Sequence, residues 1–227
     1  MRRFPSGVIE LDGQANEPAW SQAAVEKHFI FPWQRATAAE TEFRALWDSA
    51  NVFFSFRVYD SDIVVLNELR DKMDAVFEDR VEVYLGRDEG MKEYFCFEID
   101  ARGRVLDYRT EIPKQFDFKW RFPELEARAS LFPGGYEVEG RIPLTSLEKI
   151  GLGPITGGRK LRCGLHRAEF SHDRSGRLAD QRETGHWLGR KIEGLMPIKA
   201  WISWVDPETS EPDFHAPAAF GWMEFQP

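Results

Sequence analysis

The chain has 227 residues, of which 42% are hydrophobic and 30% charged. That is enough for one well-buried core and too apolar for a disordered chain. Thirty Lys and Arg against 38 Asp and Glu give a formal charge of -8, which argues against a basic nucleic-acid footprint, and the two cysteines exclude a disulfide scaffold or a cysteine-rich metal site.

No run approaches the roughly 18 apolar residues of a membrane span. The start, Met1-Arg2-Arg3, is basic but has no apolar stretch behind it. The chain as written therefore does not read as a secretory precursor; a cytoplasmic location is the default, and a mature or trimmed secreted form the alternative. Leu11-Asp12-Gly13 is the first turn, and Pro18 and Trp20 fall in a loop or short helical turn. Phe43, Ala45 and Trp47 alternate over 41–47, and Phe54, Phe56 and Val58 alternate after the turn 48–51. Period two predicts a hairpin with an aromatic inner face. Leu66, Leu69 and Met73 fall at helical spacing, so 62–75 is expected to be a short helix or helical loop.

Residues 80–85 return to period two, with Val81, Val83 and Leu85 on one face and Glu82 and Tyr84 on the other. After a turn at 86–90, Phe95, Phe97 and Ile99 share one face of a strand, and Cys96 and Glu98 share the other. A turn at 101–103 leads into 104–109. Residues 111–123 read as a loop with strand-like pieces. Residues 125–131 alternate, Pro133-Gly134-Gly135 turns, and 136–142 alternate again, followed by a helical turn from Leu144 to Ile150. The glycine-rich stretch 151–158 lacks a phosphate-loop pattern. Residues 161–167 and 199–205 are strand-like, 171–194 is a polar loop, and 214–225 ends in a short strand. Cys96 and Cys163 are either buried free thiols or, if their strands adjoin, one bridge.

Many short strands between turns predict an all-β protein, an immunoglobulin-like or jelly-roll-type β-sandwich with short peripheral helices and long loops, forming one domain over 1–227. The motifs then narrow this. In order they are Ile9 with Asp12-Gly13, Glu17-Pro18-Ala19-Trp20, Leu46-Trp47-Asp48, Asp60, Glu78-Asp79, Val81-Glu82-Val83-Tyr84-Leu85, Tyr94, Phe97-Glu98-Ile99-Asp100, Gly103, Asp107, Gly135-Tyr136-Glu137-Val138-Glu139, Ile142-Pro143, Trp204, Asp206-Pro207, Phe214-His215, Pro217 and Phe220-Gly221. This ordered set resembles the carbohydrate-binding family 9-like domain, a β-sandwich found on xylanases and in stand-alone bacterial proteins.

The resemblance implies a non-catalytic protein that holds a mono- or oligosaccharide, such as a glycan end, between two tryptophans, acting beside a separate glycoside hydrolase. Here the clamp positions fall at Phe77 and Phe214. A family arginine falls at Glu98 and an asparagine at Asp100. Phe stacks on less sugar area than Trp, and Glu98 accepts but cannot donate as arginine does. The resemblance also puts Glu82 in the binding cleft. Arg109 and Arg162, with Arg141 and Arg167, could fork onto vicinal hydroxyls or a carboxylate, or pair with Glu82 or Glu98. His166 shares a face with Arg162, and His215 follows Phe214.

The loop carboxylates Asp60, Asp62, Glu78 and Asp79 could hold a structural calcium ion or form surface salt bridges. His28, His166, His172, His186 and His215 show no metal-ligand spacing. Two other functions compete. One is a glycan-processing hydrolase using Glu82 and Glu98 as its acidic pair; Ser171-His172 lacks a nucleophile elbow. The other is a sandwich that binds another ligand such as haem, with Met91, Met196, His166 and His215 available as axial ligands.

Overall fold

The structure, a computed structural model, describes residues 1–4, 9–34, 39–69, 71–111, 114–170 and 198–227. Its strands are β1 (Arg2–Arg3), β2 (Val25–Glu26), β3 (Thr41–Trp47), β4 (Asn51–Tyr59), β5 (Arg80–Gly86), β6 (Glu93–Asp100), β7 (Val105–Glu111), β8 (Gln115–Asp117), β9 (Glu126–Phe132), β10 (Gly135–Pro143), β11 (Lys160–Phe170), β12 (Ile198–Ser203) and β13 (Gly221–Glu224). One α-helix, α1 (Leu144–Lys149), and short 3-10 segments complete the described elements.

Two sheets pack face to face, as the alternation predicted. The first runs β1-β3-β4-β10-β9, with β2 on β3; the second runs β12-β11-β5-β6-β7-β8, with β13 on β11. The β3–β4 hairpin turns where the Asp48 carboxylate accepts the amides of Ala50 and Asn51, each at 2.7 Å. These side-chain bonds add to the backbone bond from the Asp48 amide to the Asn51 carbonyl at 3.0 Å. The core lies between the sheets and is built from Phe43, Ala45, Trp47, Phe54, Phe56 and Val58 on one side and Val81, Val83, Leu85, Phe95, Phe97 and Ile99 on the other. Phe54 and Phe97 meet across the gap with ring centroids 5.3 Å apart. Gly140 makes room for the Phe54 ring, since a Cβ there would sit 1.9 Å from Cζ.

Two strand-level alternatives are resolved by topology. Cys96 and Cys163 are both free and buried. Strand β5 separates their strands, and Cys96 lies in the outer-face cluster while Cys163 lies in the inter-sheet core, so no bridge forms. The helix expected over 62–75 is confined to a 3-10 segment at Lys72–Phe77, whose first turn is capped by Asp71 accepting the Met73 amide. The preceding backbone is held by side-chain acceptors instead. Asp60 takes the Asp62 amide at 2.9 Å, Asp79 takes Val64 at 2.6 Å, and Glu78 takes Leu66. Such bonds compete directly with a helical ladder. Among the described residues no helix is long and apolar enough to cross a membrane. The expected polar loop over 171–194 lies outside the described residues.

What positions the site is one rung of the second sheet. Ser203 on β12 faces His166 on β11, His166 faces Glu82 on β5, and Glu82 faces Glu98 on β6. Period two then sends all four side chains to the outer face. There they meet a second apolar cluster that includes Tyr84, Tyr94, Tyr108, Phe214 and Phe220.

Candidate binding cleft

A cleft of about 350 Å³ opens on this outer face. Arg80, Glu82 and Tyr84 of β5 and Glu98 of β6 form its floor. Trp201 of β12 and Trp33 stand on one side, and Lys114 and Phe116 reach in from β8 and the turn before it, at the opposite sheet edge. The segment Pro212-Asp213-Phe214-His215 completes the lining.

The floor is a charged triad. Arg80 donates through Nε to Glu98 Oε2, its Nη2 lies 2.9 Å from Glu82 Oε1, and its Nη1 donates to the carbonyls of Val76 at 3.0 Å and Glu78 at 3.3 Å. Tyr84 donates to Glu82 Oε2 at 2.5 Å, and Tyr108 donates to Glu98 Oε1 at 2.8 Å. Arg80, Glu82 and Glu98 are only 4%, 1% and 4% exposed, so their mutual pairing compensates a burial that would be costly for any one of them. Burial, and next the Glu98 charge, push the Glu82 carboxyl up to about 8, against the pull of Arg80 and Tyr84. Burial likewise pushes the Tyr84 hydroxyl well up, so it is a proton donor at neutral pH.

Phe214 is the pivot of the aromatic side. One of its faces stacks on His166, centroids 4.2 Å apart and planes within 10°; Trp201 meets it edge-on at 5.4 Å, and Trp33 at 5.7 Å. Ser203 spends its hydroxyl proton on the Val205 carbonyl at 2.6 Å, so it accepts from His166 Nδ1 at 3.0 Å. That bond fixes the proton on Nδ1, and burial holds the ring neutral by lowering its pKa far below the usual value. Gly164 leaves space for the ring: a Cβ there would lie 2.6 Å from His166 Nε2. His215 stacks on Tyr84 at 5.0 Å and 14°, its Nδ1 lies 3.1 Å from the Tyr94 hydroxyl, and burial lowers its pKa to about 4. Asp213 takes the His215 amide at 3.0 Å and pairs with Lys114 at 2.7 Å, tying the covering segment to the β8 edge.

Of the residues singled out from sequence, Glu82, Glu98, Phe214 and His215 come together here. Phe77 and Phe214 do not both line this cleft. Phe77 packs half-buried against the outer-face cluster and is not in the cleft lining, while Phe214 is 6% exposed with one face closed by His166. Asp100 holds the β6–β7 turn, accepting the amides of Arg102 and Arg104 at 2.8 and 3.0 Å and pairing with the Arg104 guanidinium at 2.5 Å. Arg109 pairs outside the cleft with Asp117 at 3.1 Å. Arg162 donates to the Pro217 carbonyl and lies over Trp222 at 5.1 Å. His166 supports the wall from behind Phe214 without lining the cleft.

Of the carboxylates read as either a calcium site or salt-bridge partners, Asp60, Glu78 and Asp79 meet protein donors. Asp79 accepts the amides of Val64 and Phe170, at 2.6 and 2.5 Å, Glu78 pairs with Arg104 at 2.8 Å, and Asp60 lies 3.4 Å from Arg167. Among the described residues no group of three or more His, Cys, Asp or Glu converges as a metal site. Met91 is buried against Gly86 and outside the cleft lining; Ser171, His172, His186 and Met196 lie outside the described residues. Arg141 pairs with Glu126, and Arg167 with Asp60 and Glu169 rather than with Glu82 or Glu98.

Arg80 is the partner of both floor glutamates, and sequence reasoning missed it, although it stands two residues before Glu82 and so on the same strand face. Trp33, Tyr84, Lys114, Phe116, Trp201, Pro212 and Asp213 were also not singled out for the site; only Tyr84 carried a local signal, its shared face with Glu82.

Three solved structures resemble the chain. A family 9 carbohydrate-binding module from Caldicellulosiruptor kristjanssonii in complex with cellotriose aligns over 100% of this chain and 94% of that one, with 15% identity and a TM-score of 0.62. The corresponding structure from that organism in complex with glucose gives 100%, 96%, 17% and 0.56. A Bacteroides uniformis protein proposed to bind carbohydrate gives 100%, 98%, 14% and 0.65. At these identities the likeness establishes the shared sandwich. No curated protein matches the chain. The family model for the carbohydrate family 9 binding domain-like group matches residues 11–185, the greater part of the sequence, and the chain belongs to that family.

Proposed function

We propose that the protein binds a mono- or oligosaccharide in the outer-face cleft without catalysing its turnover. The observation that carries this is the juxtaposition of a polar, buried floor of Arg80, Glu82 and Glu98 with ring surfaces from Trp33, Trp201 and Phe116. Pyranose rings present apolar C–H faces and a rim of hydroxyls, and a cleft with few polar groups among aromatic walls suits both. Cellotriose and glucose, the ligands of two structural neighbours, are the natural first probes. The platforms in this reading are Trp33, Trp201 and Phe116, not Phe77.

Binding rather than hydrolysis is supported by the engagement of both carboxylates. Each has one oxygen against Arg80 and the other accepting from a tyrosine, an arrangement that holds both side chains in place. The test is calorimetric titration of the native protein and of Trp201→Ala with glucose and cellotriose. Saturable binding by the native chain, weakened in the variant, supports the reading. Absence of binding by correctly folded native protein refutes it. A turnover screen on model glycosides that finds activity lost in Glu82→Gln would instead establish the hydrolase.

A further inference from the structure

Among the described residues five charged side chains line the cleft, and they divide by exposure. Those of Arg80, Glu82 and Glu98 are at most 5% exposed and are engaged with one another and with two tyrosines. A sugar hydroxyl reaches them only by breaking those bonds, which leaves a buried polar group unsatisfied. The aromatic side offers area more than hydrogen bonds, since the Trp33 indole N–H is spent on the Thr209 carbonyl at 2.9 Å. Lys114 and Asp213 are different. They pair at 2.7 Å, with side chains 51% and 24% exposed. Exposed pairs contribute little to stability, so sharing this one with a ligand sacrifices little of the fold.

Neither group is exhausted by the pair. An ammonium has three N–H donors and a carboxylate about four lone-pair sites. Asp213 uses Oδ2 on Lys114 and Oδ1 on the His215 amide at 3.0 Å, and the amide bond pins the carboxylate in place. Lys114 stands two residues before Phe116, which lines the same cleft, so a ring lying on Phe116 brings its edge toward the pair. The two oxygens of a gauche vicinal diol stand about one hydrogen-bond length apart, as Lys114 Nζ and Asp213 Oδ2 do.

Resting on the carbohydrate reading of this cleft, we propose that Lys114 and Asp213 are its specificity-determining residues and read two adjacent hydroxyls of an uncharged sugar. Lys114 donates to one oxygen, and Asp213 accepts from its neighbour. A charged substituent in that place gains from one member of the pair what it loses to the other, so a neutral diol is the better complement.

The experiment is a calorimetric panel of glucose and its five monodeoxy analogues on the native protein, Lys114→Met and Lys114→Arg. In the native protein, loss of either of two neighbouring hydroxyls weakens binding about fivefold, as loss of one hydrogen bond does, and loss of the others changes little. In Lys114→Met glucose itself binds about fivefold more weakly, and the penalty for removing the hydroxyl that faces Lys114 falls toward one. Lys114→Arg, which keeps a cationic donor, retains that penalty. A native protein indifferent to every adjacent pair of hydroxyls overturns the assignment and leaves the carbohydrate reading standing. So does a Lys114→Met protein that binds all six sugars more weakly by one common factor, which would make the pair a tether of the 212–215 segment only. Failure of every sugar to bind the folded native protein overturns both.

Discussion

Glu82 and Glu98 occupy directly opposed positions on adjacent antiparallel strands, both turned outward. Like charges so placed repel, and both are nearly inaccessible to water. They coexist because Arg80, two residues from Glu82 on the same face, reaches both, and because Tyr84 and Tyr108 each donate to one of them. The cleft floor is thus a fixed, desolvated set of polar groups.

Removing the shared cation should expose this dependence. Arg80→Met is expected to destabilise the fold by about 3–5 kcal/mol, the cost of leaving buried charge unpaired. Adding Glu82→Gln and Glu98→Gln should recover a large part of it. Urea unfolding of the single and triple variants measures both, and a single variant within about 1 kcal/mol of native would contradict the arrangement.

The aromatic assignments separate from those made by sequence position alone. Trp201→Ala should weaken sugar binding by about tenfold or more, as loss of a buried tryptophan anchor does. Phe77→Ala should leave affinity within about twofold of native, because Phe77 is outside the cleft lining. Titration of both variants against one ligand checks the pair, and the reverse order would restore the Phe77 clamp.

Stability should fall on the alkaline side. Burial raises Glu82 from 4.5 to about 8, Asp79 from 3.8 to about 8 and Glu78 from 4.5 to about 7. A carboxyl that holds its proton more tightly when folded contributes fully below its unfolded pKa and loses that contribution as pH rises through the folded value. His215 runs in the opposite sense. Lowered from 6.5 to about 4, it contributes fully above its unfolded value and loses stability as pH falls from there toward 4. Above about pH 6.5 only the carboxyl effect remains of these two, so Tm should decline from there to about pH 9, and Glu82→Gln should flatten the decline. Thermal scans across that range test it; a Tm that rises to pH 9 would contradict it.

The wall behind Phe214 depends on an absent side chain. Gly164→Ala places a methyl 2.6 Å from His166 Nε2, closer than the two atoms can pack. Displacing a buried ring that is stacked on Phe214 and tied to Ser203 should cost about 1–3 kcal/mol, as overpacking does. Chemical denaturation would show the loss, and the near-ultraviolet aromatic signal would show the displaced packing.

The strand alternation carried the sandwich and the outward direction of Glu82 and Glu98, because period two is a local property that survives any tertiary arrangement. The same rule reached Arg80, but the residue stood at the strand's first position, before the valines that made the pattern visible. Trp33, Trp201, Phe116 and Asp213 could not be found this way. They meet only because β12 pairs with β11 in its register, β8 folds back on β7, and the 212–215 segment crosses above the floor. Phe77 stands just before Glu78-Asp79, where the family pattern has its first tryptophan, and the 3-10 segment that carries it packs against the outer-face cluster. The 62–75 periodicity misled for another reason, since buried carboxylates claimed the amides a helix would have used.

The most direct test of the account is a crystal structure of the protein grown with cellotriose. Sugar density over the floor of Glu82 and Glu98, with ring faces against Trp33, Trp201 or Phe116, is the predicted result. Density bound at another surface with this cleft unchanged would contradict it.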